Sequence, residues 1–236
     1  MKSIAPIFPI LAYHRCPFDF ESHIKHLRGS GYSLVHLSDV VAYLTKPMEG
    51  EFPEKYVVLT FDDAYEDFNR VARILESNDL KGKATICVPT AYISENMSRK
   101  SWEGFPTLTW NELRKLKDDG FEIISHSASH SNLDDIKDNK ERLQYEIGYS
   151  RLILKHRLKL EIENVQFFCF PYGAGWKEQA NPDQRINDVL RSEGYIGALR
   201  ADYKTGEPWD QYCIPRCEPL TQIRLQELLE KEFCCK

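Results

Sequence analysis

Short apolar runs alternate with longer amphipathic stretches from one end of this 236-residue chain to the other. The short runs are rich in β-branched and aromatic residues, and the alternation predicts repeated β-strand and α-helix units around parallel strands. With 42% hydrophobic residues and no break in composition, the chain can bury one large core. About eight strands with interleaved helices favour a barrel over an open sheet, so we predict a single domain over residues 1–236.

Helical patterns separate the strand patterns along the whole chain. The predicted strands are Ile7–Tyr13, Tyr32–Val35, Tyr56–Phe61, Ala84–Val88, Phe121–Ser125, Val165–Phe170, Tyr195–Leu199 and a last one near Tyr212–Pro215. The predicted helices are Phe20–Arg28, Ser38–Leu44, Ala64–Ser77, Trp110–Lys117, Lys140–Arg157, Asp183–Arg191 and Leu220–Glu232. The loop Ala91–Thr107 carries Trp102, and we expect it either to overhang a site or to run over the surface.

The charge distribution argues against nucleic acid as a partner. The net charge of −5 comes from 36 acidic and 31 basic residues spread along the chain, without a basic cluster. No run approaches the ~18 consecutive apolar residues of a membrane span. The apolar N-terminus is interrupted by Pro6 and Pro9 and lacks an A-x-A cleavage pattern, so we predict an uncleaved, cytoplasmic protein.

Seven cysteines form an odd set without C-x-x-C spacing, which is typical of free thiols in a reducing compartment. Cys213 and Cys217 could bind a structural zinc ion together with Cys234 and Cys235. This interpretation is the weaker one, because no second C-x-x-C and no nearby histidine completes the set.

Four polar or turn-forming clusters directly follow four predicted strands. They are "YHR" at Tyr13–Arg15, the pair Asp62 and Asp63 after "VVLTF", "SHSASH" at Ser125–His130, and "FPYG" at Phe170–Gly173. In parallel β/α barrels the loops at the C-terminal ends of the strands converge on one mouth, where the reactive groups gather. We therefore expect a site at this end of the barrel.

The histidines of "SHSASH" have a spacing that suits a metal ion. His126 and His130 are spaced i, i+4, which on one helical turn places both imidazoles on one face. A carboxylate from a second strand end would complete three protein ligands and leave a position for water, the pattern of a catalytic divalent site. Asp62 and Asp63 are adjacent, so their side chains diverge, and one can bind the metal while the other acts as general base.

Each of these motifs also has an ordinary structural interpretation. Asp63 and Glu66 fit a capping box that opens the next helix, and a solitary H-x-x-x-H in a polar turn is more often solvated than bound to metal. The combination of both motifs with "FPYG", each at the end of a parallel-type strand, favours the metal site.

The same residues resemble a known family. "LTFDDAY", "SHSASH" and "FPYG", in this order, are similar to the motifs of the polysaccharide deacetylases, also called carbohydrate esterase family 4 or NodB-homology domains. "ILAYHR", "HLRGSGYSLVHLSDVVAYL" and "CIPRC" resemble the subgroup that includes poly-N-acetylglucosamine deacetylases, so the resemblance spans nearly the whole chain. It implies an α/β fold, a distorted (β/α) barrel, here with seven or eight parallel strands. It also implies hydrolysis of the N-acetyl group of an amino sugar with release of acetate.

The resemblance implies a role for each matching residue. Asp63, His126 and His130 would bind a divalent metal, usually zinc, with cobalt or nickel as alternatives. Asp62 would be the general base.

The third motif would contact the substrate. The backbone N–H of Tyr172 would help to hold the oxyanion of the reaction. Pro171 and Tyr172 are candidate substrate contacts, as is Trp176 just beyond the motif. Trp176 either stacks on a sugar ring or is structural.

Two positions depart from the family pattern. Many members have an arginine two residues before the proline of the third motif, where it contacts the base aspartate, but this chain has Cys169 there. Most members also place a general-acid histidine near the C-terminus, yet no histidine follows His156. In the poly-N-acetylglucosamine subgroup this histidine comes from the N-terminal strand, and His14 matches it. The swap is physically reasonable because a closed barrel makes its first and last strands neighbours.

We therefore expect a metal-dependent hydrolase of surface-polysaccharide or glycoconjugate biosynthesis that acts on an N-acetylated sugar or glycoconjugate. Three alternatives stay open. One is removal of a different acyl group, such as formyl, or opening of a cyclic amide. The others are a non-catalytic sugar-binding barrel and a metal-free structural domain in which Asp63 caps a helix.

Overall fold

The protein folds as a curled parallel sheet surrounded by helices. The computed structural model describes residues 9–45, 52–95, 98–161, 164–173, 183–201, 210–219 and 221–229. The main sheet contains seven strands, β1 (Ile10–Tyr13), β2 (Ser33–Leu34), β3 (Tyr56–Phe61), β4 (Thr85–Val88), β7 (Glu122–Ser125), β8 (Phe167–Cys169) and β9 (Gly197–Leu199). Strands β5 (Ser101–Trp102) and β6 (Phe105–Pro106) form a separate antiparallel hairpin.

The helices lie between the strands in the chain. They are α1 (Phe20–Gly29), α2 (Leu37–Thr45), α3 (Phe68–Ser77), α4 (Trp110–Asp118), α5 (Leu133–Ile136), α6 (Lys140–Gln144), α7 (Ser150–Leu158), α8 (Gln184–Ser192) and α9 (Gln222–Glu227). Their apolar spacing explains how they pack. In α3, for example, the buried residues Phe68, Val71 and Leu75 form one stripe on the core side of the helix.

The main sheet closes on itself near the chain termini. Its strands pair in the order β1-β3-β4-β7-β8-β9, with β2 on β3, and every pairing is parallel. Residues 213–217 then bridge the two edge strands, since Ile214 pairs with Leu199 on β9 and Cys217 pairs with Leu11 on β1. The predicted distorted barrel of seven or eight parallel strands is confirmed. The predicted strand near Tyr212–Pro215 is this closing segment.

Two buried clusters occupy the two faces of the sheet. The barrel interior contains Ile10, Val58, Cys87, Ile124, Cys169, Leu199 and Ile214, together with residues of α2. The larger outer core lies between the sheet and the remaining helices. Alternate residues of each strand therefore point to opposite clusters, as the two-residue period of a strand requires.

Most predicted elements agree with the observed ones within a few residues. The predicted helix Lys140–Arg157 contains a π-helical segment, Tyr145–Tyr149, between α6 and α7. The β5–β6 hairpin was not predicted, because two-residue strands carry too little periodicity to recognise. Part of the first predicted strand and the terminal cysteine pair lie outside the described residues. Within the described part of the chain, no helix combines the length and apolar character needed to cross a bilayer.

Candidate metal centre and active site

Strand alternation directs several polar side chains into the barrel. On β3, Val58 belongs to the barrel interior, so the two-residue period turns Asp62 to the same side. The same alternation carries His126 inward, two residues after Ile124. Both polar side chains are almost completely buried, with 3% and 2% of their surface exposed.

The backbone turns sharply at Asp63 instead of starting a helix. Asp63 and Ala64 have φ values of 65° and 49°, which lie in the left-handed region that an α-helix does not contain. Helix α3 begins only at Phe68, with Asp67 as its N-cap. The alternative in which Asp63 opens a capping box is therefore excluded, and the predicted helix start at Ala64 is wrong. The left-handed turn rotates the Asp63 carboxylate away from the helix and toward the two histidines.

Three buried ligand atoms converge at the barrel mouth. Oδ1 of Asp63 lies 3.3 Å from Nε2 of His130 and 3.7 Å from Nε2 of His126. The two Nε2 atoms are 3.2 Å apart. Donors bound tetrahedrally to zinc at about 2.0–2.1 Å would be about 3.3–3.4 Å from each other. The three spacings fit a shared divalent ion.

Unsatisfied hydrogen-bonding capacity supports the same interpretation. Among the described residues, buried Oδ1 of Asp63 has no hydrogen-bond partner. A buried carboxylate oxygen without a partner costs free energy, which a bound cation would offset. The residues present therefore fit a divalent metal site.

The histidines come together through a loop rather than a helical turn. Residues 126–130 follow β7 without helical structure, and Ser127 and His130 have φ values of 66° and 58°. The prediction of a helical turn is wrong, although the imidazoles do lie together. The Ser127 hydroxyl accepts a hydrogen bond from the backbone N–H of His130 at 2.9 Å, which stabilises a tight left-handed turn instead.

A backbone carbonyl orients the first histidine. Nδ1 of His126 donates to the carbonyl oxygen of Cys169 at 2.9 Å. Because a carbonyl only accepts, Nδ1 carries a hydrogen, which leaves Nε2 as the nitrogen that can bind a metal ion once it has lost its proton. Such an outer partner is common for metal-binding histidines.

The pKa values of the triad follow from burial and close charges. Burial and then the neighbouring His126 lower the pKa of His130 to about 3, so its imidazole is neutral at neutral pH. Burial opposes the charged form of His126, but Cys169, Asp62 and Asp63 outweigh it and raise the pKa to about 10. Burial also raises the pKa of Asp63. A cation competes with the shared proton of this cluster, so metal binding is coupled to proton release.

Asp62 is held by an arginine from the closing segment. Nη1 of Arg216 donates to Oδ1 of Asp62 at 2.7 Å, and Nη2 donates to Oδ2 at 2.8 Å. Both side chains are buried. Arg216 also donates to the carbonyl oxygen of Arg200 and to the Thr60 hydroxyl, so the guanidinium is fixed in place. This bidentate pair answers the question raised by Cys169, because Arg216 supplies the contact that an arginine at position 169 would have made.

The ion pair keeps Asp62 ionised. Burial by itself would raise the pKa of Asp62, but the charge of Arg216, with a smaller contribution from His126, holds this pKa well below its ordinary value. A buried carboxylate that is ionised at neutral pH and bonded to a guanidinium through both oxygens can accept a proton or a further hydrogen bond only on its remaining lone pairs. Arg216 therefore determines which lone pairs of Asp62 remain to accept a proton.

A cavity of about 260 Å³ opens beside these residues. Its wall includes His14, Trp102, Glu103 and Tyr172, in addition to the triad and the Asp62–Arg216 pair. Typical pockets for drug-sized ligands have roughly 300–1,000 Å³, so this one suits a ligand group smaller than a drug molecule.

Several of the predicted site residues lie in or beside the cavity wall. His14 is half exposed, with Nδ1 3.9 Å from Oε1 of Glu218. Tyr172 has φ 59° and packs its ring 4.8 Å from that of His130. Pro171 is buried next to it. Trp176 lies outside the described residues.

The sequence predictions left one feature of the site open and missed another. Trp102, on the β5–β6 hairpin, packs 4.8 Å from the His130 ring, so this hairpin of the loop Ala91–Thr107 overhangs the site, one of the two positions expected for it. Arg216 was present in the quoted "CIPRC" but received no role. Its two-residue offset from the apolar Ile214 on a final strand would have predicted an inward position.

The fold and the donor set define a β/α-barrel protein with a candidate metal centre at the barrel mouth. The chain belongs to the polysaccharide deacetylase family, because residues 49–195 match that family. The matched range contains Asp62, Asp63, His126, His130 and Tyr172. His14 and Arg216 lie outside it, one on each side.

One curated protein illustrates the family relationship. YxkH of Bacillus subtilis (strain 168), whose name places it among the polysaccharide deacetylases, is 28% identical over 144 residues. The match covers 57% of this chain and 47% of YxkH. The chain thus spans about half of the length of this relative.

Solved structures share the fold over nearly the whole chain. IcaB from Ammonifex degensii superposes with a TM-score of 0.78 at 19% identity, covering 96% of this chain and 97% of IcaB. The Streptococcus pyogenes deacetylase PplD, solved in complex with acetate, has a TM-score of 0.73 at 20% identity, with 96% and 98% coverage. These likenesses extend the fold assignment beyond residues 49–195 to 96% of the chain.

Proposed function

We propose that this protein is a metal-dependent hydrolase that removes the N-acetyl group from an amino sugar and releases acetate. The observation that carries the proposal is the convergence of Asp63, His126 and His130 beside a buried aspartate, Asp62, that is held by Arg216. Membership of the polysaccharide deacetylase family supports the same chemistry. Zinc is the proposed metal, with cobalt or nickel as substitutes, because one carboxylate and two imidazoles suit these ions. A role in surface-polysaccharide or glycoconjugate biosynthesis and a cytoplasmic location stay predictions from the sequence.

The residues around the cavity can each perform one part of amide hydrolysis. Asp63, His126 and His130 would hold a divalent ion, which would supply a Lewis acid for an acetamide carbonyl and would acidify water. Asp62 accepts the proton of the attacking water. The backbone N–H of Tyr172 donates to the oxyanion that forms. His14 then donates a proton to the leaving amine, with Oε1 of Glu218 3.9 Å from its Nδ1.

An acetate-release assay tests the proposal. Metal-loaded protein is incubated with N-acetylated monosaccharides, nucleotide sugars and N-acetylglucosamine oligomers, with Asp62→Asn as the blank. Acetate above the blank from at least one sugar is the expected result. Formate release from N-formyl sugars without acetate release would identify a different acyl group. Sugar binding without any release would identify a non-catalytic barrel.

His14→Ala is expected to lower kcat by about 10²–10⁴-fold, the usual contribution of a positioned general acid. Metal content should be unchanged, since His14 is not one of the three converging donors. Elemental analysis and acetate release measured on the same preparation check both statements. His156→Ala is the matched control because His156 is exposed on α7. Full turnover in His14→Ala would rule out the general-acid role.

Arg216→Lys is expected to move the acid limb of the kcat/KM pH profile to higher pH. Lysine keeps the positive charge but cannot make two parallel hydrogen bonds to a carboxylate, so the pKa of Asp62 rises toward its ordinary value. The loss of one charge-assisted hydrogen bond should lower the free energy of unfolding by about 1.5–3 kcal/mol. Arg28→Lys is the control, since Arg28 bonds a surface carbonyl.

The pH dependence of unfolding gives a second measurement on Arg216→Lys. The folded-state pKa of Asp62 lies below the unfolded value of about 3.9. Its contribution to stability is therefore present above about pH 4 and is lost as the pH falls. Wild-type stability should fall more steeply below pH 4 than that of the variant. An unchanged kcat/KM profile together with lower stability would show that Arg216 is only structural.

A further inference from the structure

Two thiols lie directly beneath Asp62 in the barrel interior. Cys87 on β4 and Cys169 on β8 are completely buried and belong to the interior cluster. Their Sγ atoms and a carboxylate oxygen of Asp62 all lie within 4.8 Å of one another. Sγ of Cys169 donates to Oδ1 of Asp62 at 3.6 Å. None of these sulfur atoms has a part in the proposed reaction.

The separation of the two strands disfavours a disulfide. β7 lies between β4 and β8 in the sheet, and neighbouring strands are about 4.8 Å apart, so the two Cα atoms are roughly 9–10 Å apart along the sheet. A disulfide needs Cα atoms about 4.4–6.8 Å apart, which would require the barrel to deform. An ion with bonds of about 2.3 Å to each sulfur spans a larger gap without moving the strands.

The donor set suits a thiophilic divalent ion. Two sulfur atoms and one carboxylate oxygen lie within 4.8 Å of one another, and soft thiolate ligands select ions of this kind. A metal ion binds thiolates, so any proton on the two sulfur atoms is released to solvent when the ion binds.

We propose that Asp62, Cys87 and Cys169 form a second metal site, selective for thiophilic divalent ions such as Cd²⁺ or excess Zn²⁺. It is separate from the triad of Asp63, His126 and His130. Asp62 and Arg216 line the cavity at the barrel mouth, so the thiols lie beneath the cavity floor. Occupation of this site inhibits the enzyme because the ion occupies the lone pairs with which Asp62 would accept a proton. This last consequence rests on the function proposed above.

Cadmium titration of the zinc-loaded protein tests the site without any activity measurement. The wild type should hold one zinc ion and one cadmium ion after equilibrium dialysis, and it should gain the ultraviolet absorption of a cadmium–thiolate bond. Cys87→Ala should bind no cadmium outside the site formed by the triad, and it should lack this absorption. Cys16→Ala is the matched control, since Cys16 is a half-buried thiol away from the site, and it should behave like the wild type. Cys87→Ser replaces Cys87→Ala if the alanine variant fails to fold.

A titration of Asp63→Asn separates the two sites. The variant should still develop the cadmium–thiolate absorption, because Cys87, Cys169 and Asp62 are intact. Absence of this absorption in the wild type, or its persistence in Cys87→Ala, would overturn the proposal.

Acetate release tests the inhibition: cadmium should abolish most of the turnover of the wild type and leave the turnover of Cys87→Ala unchanged. If no sugar is deacetylated at all, the function proposed above fails, while the binding and absorption results still decide the thiol site.

Discussion

Asp62→Asn is expected to lower kcat by about 10²–10⁴-fold while metal content stays at the wild-type level. An amide is nearly the same size as a carboxylate but cannot take a proton from water, so the variant loses general-base catalysis. Asp62 is not one of the three converging donors. Its carboxylate instead faces Arg216, at 2.7 and 2.8 Å. The Asp62→Asn substitution should therefore lower kcat without lowering metal content.

The main complication of Asp62→Asn is stability. Removing one partner of a buried ion pair leaves the other charge uncompensated and commonly costs about 3–5 kcal/mol. Thermal unfolding of the variant shows whether it is folded at the assay temperature. With folded, metal-loaded protein, turnover within a few-fold of the wild type would contradict the assignment of Asp62 as the base.

Asp63→Asn is expected to weaken metal binding by more than about 100-fold, and turnover should fall with it. This exceeds the roughly 10–100-fold loss usual for an outer partner of a metal ligand, because Asp63 supplies the only carboxylate of the triad. Asparagine tolerates the left-handed φ of 65° at this position. The backbone turn should therefore survive, and the loss can be attributed to the missing charge.

Metal affinity by competition with a chelator is the appropriate measurement for Asp63→Asn. Excess zinc should restore part of the turnover, because the imidazoles of His126 and His130 and a neutral amide oxygen can still bind weakly. Stoichiometric metal of unchanged affinity would place the metal elsewhere. Helix capping offers no alternative explanation of a loss, since the N-cap of α3 is Asp67.

The two variants together form one experiment on adjacent residues. The same substitution at neighbouring positions should remove turnover in both cases but metal in only one. The difference arises from a single backbone feature, since Asp62 continues the strand alternation into the barrel while Asp63 turns away in a left-handed conformation.

Local periodicity was enough to predict the barrel. Tyr56–Phe61 was predicted as a strand and is observed with the same bounds, because a buried parallel strand is apolar on both faces and ends abruptly at a polar residue. Helix ends were less accurate. The predicted start at Ala64 failed because tertiary contacts at the barrel mouth impose a turn that helix propensity does not anticipate.

The candidate site, like the fold, was predicted only in part from the sequence. The spacing of Asp62, Asp63, His126 and His130 at strand ends predicted that these residues would meet, and they do. The partner of Asp62 could not be predicted so directly. Arg216 is 154 positions away in the chain and reaches Asp62 only because residues 213–217 close the barrel between β9 and β1.

The sequence by itself determined the repeated strands and helices, the strand ends that carry the polar clusters and the family to which the motifs belong. These features depend on hydrophobic period and short spacing, which are local properties of the chain. Only the tertiary structure decided that Arg216 holds Asp62, that Trp102 covers the triad and that Cys87 lies beside Cys169. Each of these contacts joins residues on different strands or loops. Such contacts depend on how the curled sheet closes.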